Sequence, residues 1–481
     1  MISKEKLIKI SDVIWEIPKS YRSDMLVPAR IFATERMLEE VFNDRSLEQL
    51  VNVATLRGIQ GYAMAMPDAH EGYGFPIGGV AATLYPDGVI SPGGIGYDIN
   101  CGVRLVRSQL KINDIKDHLS YLAQEIYRMV PSGVGEGGEL KLSSQDMDSV
   151  LKTGVNWMIK NGFATQDDAR HIESNGILEN ANPDNISKDA KSRGLDQLGT
   201  IGSGNHFAEI DIVDEIFDEK AAGALGLWKD QAVVLIHCGS RGLGHQVATD
   251  HIRIMMGAMA RYDITLPDRE LACVPFSSPE GTNYFDAMAA AANFAWANRQ
   301  YITWEIRQAW KKILGPSGGD LSLVYDVAHN IAKIETHEIN GKKTKVIMHR
   351  KGATRAFGPG HPELAQEYQA VGQPVLIPGS MGTASYVLVG TQEGMKTSFG
   401  SCCHGAGRKM SRAAAKRSIH GHTLHEELLQ AGIHVQTGSI RDLSEEAPQA
   451  YKDVHDIVDV VHQAGIARKV ARLRPCVVIK G

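Results

Sequence analysis

The feature that most narrows the fold is a repeated pairing of short apolar runs with loops of Gly, His, Ser or Asn. Residues 232–236, 321–325 and 374–377 read as buried strands, each a brief apolar run that leads straight into such a loop. No strict strand–helix alternation accompanies them, and no Pro/Ser linker divides the chain. The expectation is therefore an α+β fold, one large domain over residues 1–481. Segment 105–170 reads as helical, with apolar spacing over 115–130 and 150–162. Residues 175–194 are polar and turn-rich and read as a surface loop or insertion. Residues 280–314 read as one long helix, Ala-rich, with Trp296, Trp304 and Trp310 on recurring faces and Gly315-Pro316 just past its end.

Composition excludes several classes. Glycine supplies 49 of 481 residues, above the usual ~7%, without repeat or low-complexity tract, which points to special turns and close backbone approaches. A net charge of −5 rules out a uniformly basic nucleic-acid coat. No run approaches the ~20 apolar residues of a membrane helix, and residues 1–20 lack the apolar core of a signal peptide. Six cysteines without a CxxC pair argue against a disulfide framework or zinc finger. A reduced, cytoplasmic protein is expected.

Metal-ligand side chains gather in the Gly-rich loops, where functional residues commonly sit. Asp98 and Cys101 lie three apart within Gly94-Ile95-Gly96-Tyr97-Asp98-Ile99-Asn100-Cys101-Gly102, so one tight turn can aim both at one ion. His206 follows Gly204-Asn205, His237 ends the 232–236 run, and His329 follows Asp326-Val327-Ala328. Singly, each histidine reads as a satisfied structural residue. Together, three His, one Asp and one thiolate exceed the needs of one tetrahedral ion and suit two neighbouring divalent ions, which sulfur can bridge. A fifth cluster, Cys402-Cys403-His404-Gly405-Ala406-Gly407-Arg408, continues into helix-forming sequence. There a Gly-rich loop before a helix N-terminus offers N–H groups to phosphate, with Arg408 about one turn along. His404 fits an anion donor, a metal ligand or a nucleophile toward activated phosphate.

Positive charge is segregated. Lys342, Lys343, Lys345, Arg350, Lys351 and Arg355 form one stretch, and Arg408, Lys409, Arg412, Lys416 and Arg417 a second. Arg468, Lys469, Arg472, Arg474 and Lys480 form a third, read as a terminal helix with a solvated face. Such stretches create local positive fields on an acidic chain.

The chain resembles, along essentially its whole length, the RtcB-type RNA ligases, the GTP-dependent tRNA-splicing ligases. The resemblance is carried by Pro67-Asp68-Ala69-His70-Glu71-Gly72-Tyr73-Gly74, the Gly94–Gly102 loop, Gly204-Asn205-His206-Phe207, His237-Cys238-Gly239-Ser240-Arg241-Gly242-Leu243-Gly244, Pro378-Gly379-Ser380-Met381-Gly382 and His404-Gly405-Ala406-Gly407-Arg408. It implies a fold particular to the family, with a dinuclear metal pocket amid central sheets and flanking helices. It implies two Mn2+ ions, one on Asp98, Cys101 and His206, the other on Cys101, His237 and His329, with Cys101 bridging. It implies a guanylylated His404. The implied GTP/GMP pocket comprises Asn205, His206, Phe207, Ala208, Glu209, His329, Asn330, Pro378, Gly379, Ser380, Met381, Ser385, His404, Gly405, Ala406, Gly407, Tyr451 and Lys480, the last folding back to the guanine. The implied activity joins RNA 2′,3′-cyclic phosphate or 3′-phosphate ends to 5′-hydroxyl ends, in tRNA halves or broken RNA, through an RNA 3′-pp-5′-G intermediate. Archease is the family's small activating partner, and a monomer is the default. Asp68, Lys351, Arg408 and Arg412 are candidate contacts to RNA phosphates. Manganese rests on the resemblance alone, since affinity trends favour zinc at Cys/His sites. The ligand set by itself also allows a dinuclear phosphoesterase acting on RNA with His404 as general acid, or a metal-stabilised RNA-binding protein.

Overall fold

The computed structural model describes residues 2–133 and 135–481. Two large sheets dominate. One has seven strands in the order Ile8–Lys9, Ile14–Ile17, Ala29–Phe32, Ile59–His70, Ile77–Leu84, Lys342–Lys351 and Asn330–Ile339. The other has eight. Its path runs Ser322–Ala328, Gly102–Lys111, Gln231–Cys238, Phe207–Ile216, Ala467–Lys480, Ser385–Gly390 and Pro374–Ile377, with His434–Thr437 pairing beside Ala467–Lys480. The expected α+β class with flanking helices is the one observed.

Gln231–Cys238 shows why the second sheet forms. Every residue is buried, and Ala232, Val233, Val234, Leu235 and Ile236 reject water on both faces, as a central strand must. The long helix runs Pro279–Leu314, with the Ser278 hydroxyl accepting from the Gly281 N–H at 3.1 Å and proline at its first position. Its alanine stretch is fully buried in a core shared with the helix Arg241–Ala258. Small side chains there let helix and sheet approach closely.

Three expectations need correction. Gly102–Lys111 is a strand, so segment 105–170 becomes helical only after it, in Leu119–Met129, Ser144–Thr153, Val155–Lys160 and Gln166–Arg170. The buried run Val103, Leu105, Val106 outweighs the helical reading, and Arg104 is accommodated by pairing with Asp326 at 2.8 Å. Residues 175–194 are no loose insertion. They carry the helix Lys188–Gly194, bury Ala181, Ile186 and Ala190, and are tied to the long helix through Leu178 N–H donating to Asn293 at 2.8 Å. The carboxy-terminal segment is a strand, Ala467–Lys480, inside the eight-stranded sheet. Pro475 is incompatible with a helix interior, and the sheet absorbs it at a register shift. The cations of this segment are therefore paired laterally, Arg472 and Arg474 with Asp214 at 3.0 and 2.7 Å. Among the described residues no helix is long and apolar enough to cross a membrane.

Candidate active site

Sheet register assembles the first half of the site. Ser322–Ala328, Gly102–Lys111, Gln231–Cys238 and Phe207–Ile216 are consecutive neighbours, with Gly102 opposite both Ala328 and Cys238, and His237 opposite Phe207. Cys101 precedes the second strand, His206 precedes the fourth, His329 follows the first, and His237 lies near the end of the third. Four residues far apart in sequence thus meet at one end of the sheet. Asp98 joins them from the preceding turn, its Oδ1 accepting from the Ser240 N–H at 2.9 Å. Gly239 is required beside it, because any Cβ there would collide with the Asp98 carboxylate.

Two overlapping donor triads result, Asp98/Cys101/His206 and Cys101/His237/His329, with ligand atoms within 4.8 Å of one another in each. Cys101 Sγ is 3.3 Å from His206 Nε2 and 3.2 Å from His237 Nε2, and His237 Nε2 is 3.3 Å from His329 Nε2. His206 Nδ1 lies 3.0 Å from the Ile201 carbonyl and His237 Nδ1 3.1 Å from that of Asn205. These bonds through Nδ1 aim each Nε2 into the cluster, the orientation of a metal-binding imidazole. Burial, reinforced by neighbouring histidines, holds His237 and His329 well below their usual pKa, so both are neutral ligands. Burial would raise Asp98, but His206 and Cys101 outweigh it and leave the carboxyl at about 2. Burial lowers His206, yet the cysteines and Asp98 raise it further, to well above its ordinary value. Burial and Asp98 push the Cys101 thiol up to about 12, so positive charge beside the sulfur is needed to make it a thiolate ligand. Crowded lone pairs and mixed N, O and S donors fit divalent transition metals.

The second half comes from a separate two-stranded sheet and from the seven-stranded one. Ser401–Cys403 pairs with Ala353–Arg355 and delivers His404 against His329, ring centroids 4.8 Å apart. Asp68, fully buried on the strand Ile59–His70, accepts through one oxygen from His404 Nδ1–H at 2.6 Å and from the His404 backbone N–H at 3.0 Å. That bond fixes the tautomer and leaves Nε2 as the free ring nitrogen. Gly407 adopts φ +71° where its neighbour is the Asp68 carbonyl, a close approach that only glycine permits. His404 is not at a helix start. The following helix begins at Arg412, and its seven residues are capped by Ser411.

A cleft of about 870 Å³ connects the two halves. Asp98, Cys101, His237 and His329 lie along it, as do Asn205, Phe207, Asn330, Pro378, Gly379, Ser380, Met381, His404, Gly405, Ala406, Gly407, Tyr451 and Lys480. Four residues of the expected nucleotide pocket are set back from its walls, His206 among them as part of the donor cluster. Ala208 faces the opposite side of its strand. Glu209 sits deeper, paired across the sheet with Val478, its carboxyl driven well upward by burial and Asp211. Ser385 Oγ accepts from the Gly379 N–H at 3.1 Å and so shapes the loop.

The basic candidates divide. Lys351 is buried, its ammonium donating to the Tyr73 carbonyl and, at 3.1 Å, to that of Phe75, with burial lowering its pKa to about 7. Of the four residues expected to meet RNA phosphates, Lys351 and Asp68 do not line the cleft. In the same stretch Arg350 is locked on Glu335 and Arg355 on Glu363. Arg408 lines the cleft, but its guanidinium is engaged by Glu446 at 3.2 Å, the Glu445 carbonyl at 2.7 Å and Tyr451 Oη at 3.1 Å. Arg412 bonds Glu446 at 2.9 Å and keeps half its side chain exposed. Sequence reasoning missed Glu446. This buried carboxylate gathers Arg408, Arg412, Lys480 and the Tyr451 hydroxyl around the cleft, and nothing in its local sequence marks it.

Comparison with known proteins gives the family. The family described as tRNA-splicing ligase RtcB matches residues 49–481. The chain is 53% identical to the tRNA-splicing ligase RtcB of Thermococcus kodakarensis over 477 residues, 99% of each chain, and 53% identical to that of Archaeoglobus fulgidus over the same span. It is 48% identical over 481 residues to RNA-splicing ligase RtcB homolog 1 of Entamoeba dispar, covering 97% of this chain and 89% of the relative.

Proposed function

Because the chain belongs to the RtcB family of RNA ligases, we propose that residues 1–481 form one cytoplasmic catalytic domain acting in tRNA splicing and RNA repair. It joins RNA 3′-phosphate or 2′,3′-cyclic phosphate ends to 5′-hydroxyl ends at the expense of GTP. The observation that carries this reading is His404. Its Nδ1 is held by buried Asp68, and its ring stands against His329 where the donor cluster and the Gly405–Gly407 loop share one cleft.

Asp98, Cys101 and His206 would hold one cation and Cys101, His237 and His329 a second. These ions, manganese by family resemblance, supply Lewis acidity that neutralises phosphate charge. The remaining chemistry belongs to the chain. His404 Nε2 attacks the α-phosphorus of GTP, an N–P bond forms, and pyrophosphate leaves. Asp68 stabilises the positive charge that develops on the ring, as a carboxylate does for a catalytic imidazole. Phe207, Tyr451 and Lys480 form the end of the cleft suited to a purine, and the Gly405–Gly407 backbone permits close approach of phosphates. An opened RNA 3′-phosphate then takes GMP from His404. The 5′-hydroxyl attacks that activated phosphate and GMP departs. Activation is needed because a phosphate monoester dianion is a poor electrophile without a good leaving group.

The test is joining of a 3′-phosphate RNA to a 5′-hydroxyl RNA with manganese and GTP. Joined product with GTP, and none from His404→Ala, is expected. RNA cleavage without joining would instead mark a dinuclear phosphoesterase.

A further inference from the structure

We propose that Asn298 and Arg299, adjacent on the buried middle of the long helix, are positioning residues that set the spacing of the metal-ligating side chains. The inference rests on the metal reading above and extends it to residues that touch neither ion nor nucleotide.

Arg299 is fully buried, and its whole guanidinium is committed. Nε and Nη2 bind the two Asp326 oxygens, each at 2.8 Å. Nη1 donates to the carbonyls of Asn100 and Cys238, each at 2.8 Å, and Nη2 also reaches Asn100 Oδ1 at 3.1 Å. Each acceptor belongs to a ligand-bearing segment. Asn100 precedes Cys101, Cys238 follows His237, and Asp326 lies on the strand that His329 follows. Asn100 is held at φ 52°, a left-handed conformation costly for a non-glycine residue. The Arg299 bonds, with Asn100 Nδ2 donating to Ala292 at 2.7 Å, hold that turn in place.

Asn298 fixes the remaining segment. Its Oδ1 accepts from the Gly199 N–H at 2.7 Å, and its Nδ2 lies 3.3 Å from the Thr200 carbonyl and 3.1 Å from that of Gly239. The next carbonyl, Ile201, is the one that orients His206. Two consecutive side chains thus anchor all the loops that present Asp98, Cys101, His206, His237 and His329. A lysine at 299 keeps the charge but cannot reproduce a fork with three directions.

The experiment titrates metal-free full-length protein with Co2+ and follows the thiolate-to-cobalt absorption, a readout independent of ligation. Arg299→Lys and Asn298→Ala are each expected to weaken cobalt binding by ~10- to 100-fold, the usual effect of losing a partner behind a metal ligand. Both should also lower the sulfur band per bound ion. Trp310→Phe, which loses the bond to Gly318 near the end of the same helix, controls for general destabilisation. It should lower the melting temperature and leave the cobalt titration unchanged. Wild-type affinity and sulfur band in both positioning variants would overturn the proposal, as would failure of both to fold, which would make the pair a general core element. Absence of any thiolate–cobalt band in the wild-type protein would overturn the metal reading itself, and the proposal with it.

Discussion

Replacing Asp68 tests how far the chemistry depends on one buried carboxylate. Asp68 Oδ2 accepts the His404 ring N–H at 2.6 Å and its backbone N–H at 3.0 Å, with no exposure to solvent. Asp68→Asn preserves the shape and can keep both bonds by turning its amide oxygen toward His404, since Oδ1 has no partner among the described residues. What it removes is the negative charge facing a ring that becomes cationic when Nε2 bonds phosphorus. A charge-assisted bond is worth about 1.5–3 kcal/mol. At about 1.4 kcal/mol per decade the guanylylation rate should fall ~10- to 150-fold. Asp68→Ala should fall further, because the ring also loses its tautomer and orientation. Asp68 does not line the cleft, so GTP affinity should hold in both variants. The assay is single-turnover transfer of labelled GMP to protein over a range of GTP concentrations. An unchanged maximal rate in Asp68→Ala would refute the reasoning, and so would a defect residing wholly in GTP affinity.

Three other changes have defined outcomes. Cys101→Ala removes the one donor common to both triads, so cobalt titration should show both sites weakened rather than one, and a single intact site would contradict the shared-sulfur geometry. Glu446→Gln releases the groups that Glu446 gathers and should raise the KM for GTP about tenfold, the equivalent of about 1.4 kcal/mol, with kcat changed much less; steady-state kinetics decide. Glu305 is buried with one oxygen unpartnered among the described residues, and burial with Glu139 nearby raises its pKa from 4.5 to about 9. The folded protein therefore keeps a proton that the unfolded chain releases, and this contribution to stability is present below pH 4.5 and lost as pH rises toward 9. Glu305→Gln should raise the melting temperature at pH 8 more than at pH 5, and equal shifts at both would count against it.

Much of the site is visible in sequence because its chemistry is local. His237 and His329 stand at the ends of apolar runs, and Asp98 and Cys101 share a Gly-rich turn, so ligand types and strand-end positions can be read together. Register cannot be read this way. Only pairing of Gly102 with Ala328 and Cys238 shows that the ligands converge. The basic stretches misled for a related reason, since charge is local in sequence but its partner is not. Lys351 and Arg350 face carbonyls and Glu335 inside the protein, and the terminal cations pair with the neighbouring strand of the sheet. Arg299 could not be distinguished from a solvated helix residue until its acceptors were in view. The terminal strand was misread because its alternation of apolar residues is broken at Pro475.

Intact mass measurement after incubation with GTP and manganese, followed by fragmentation to locate the adduct, tests the central claim most directly. One GMP on the ring of His404, removed by acid and absent from His404→Ala, is the predicted result. Protein that joins RNA while carrying no adduct, or carrying it on a lysine such as Lys452, would contradict it.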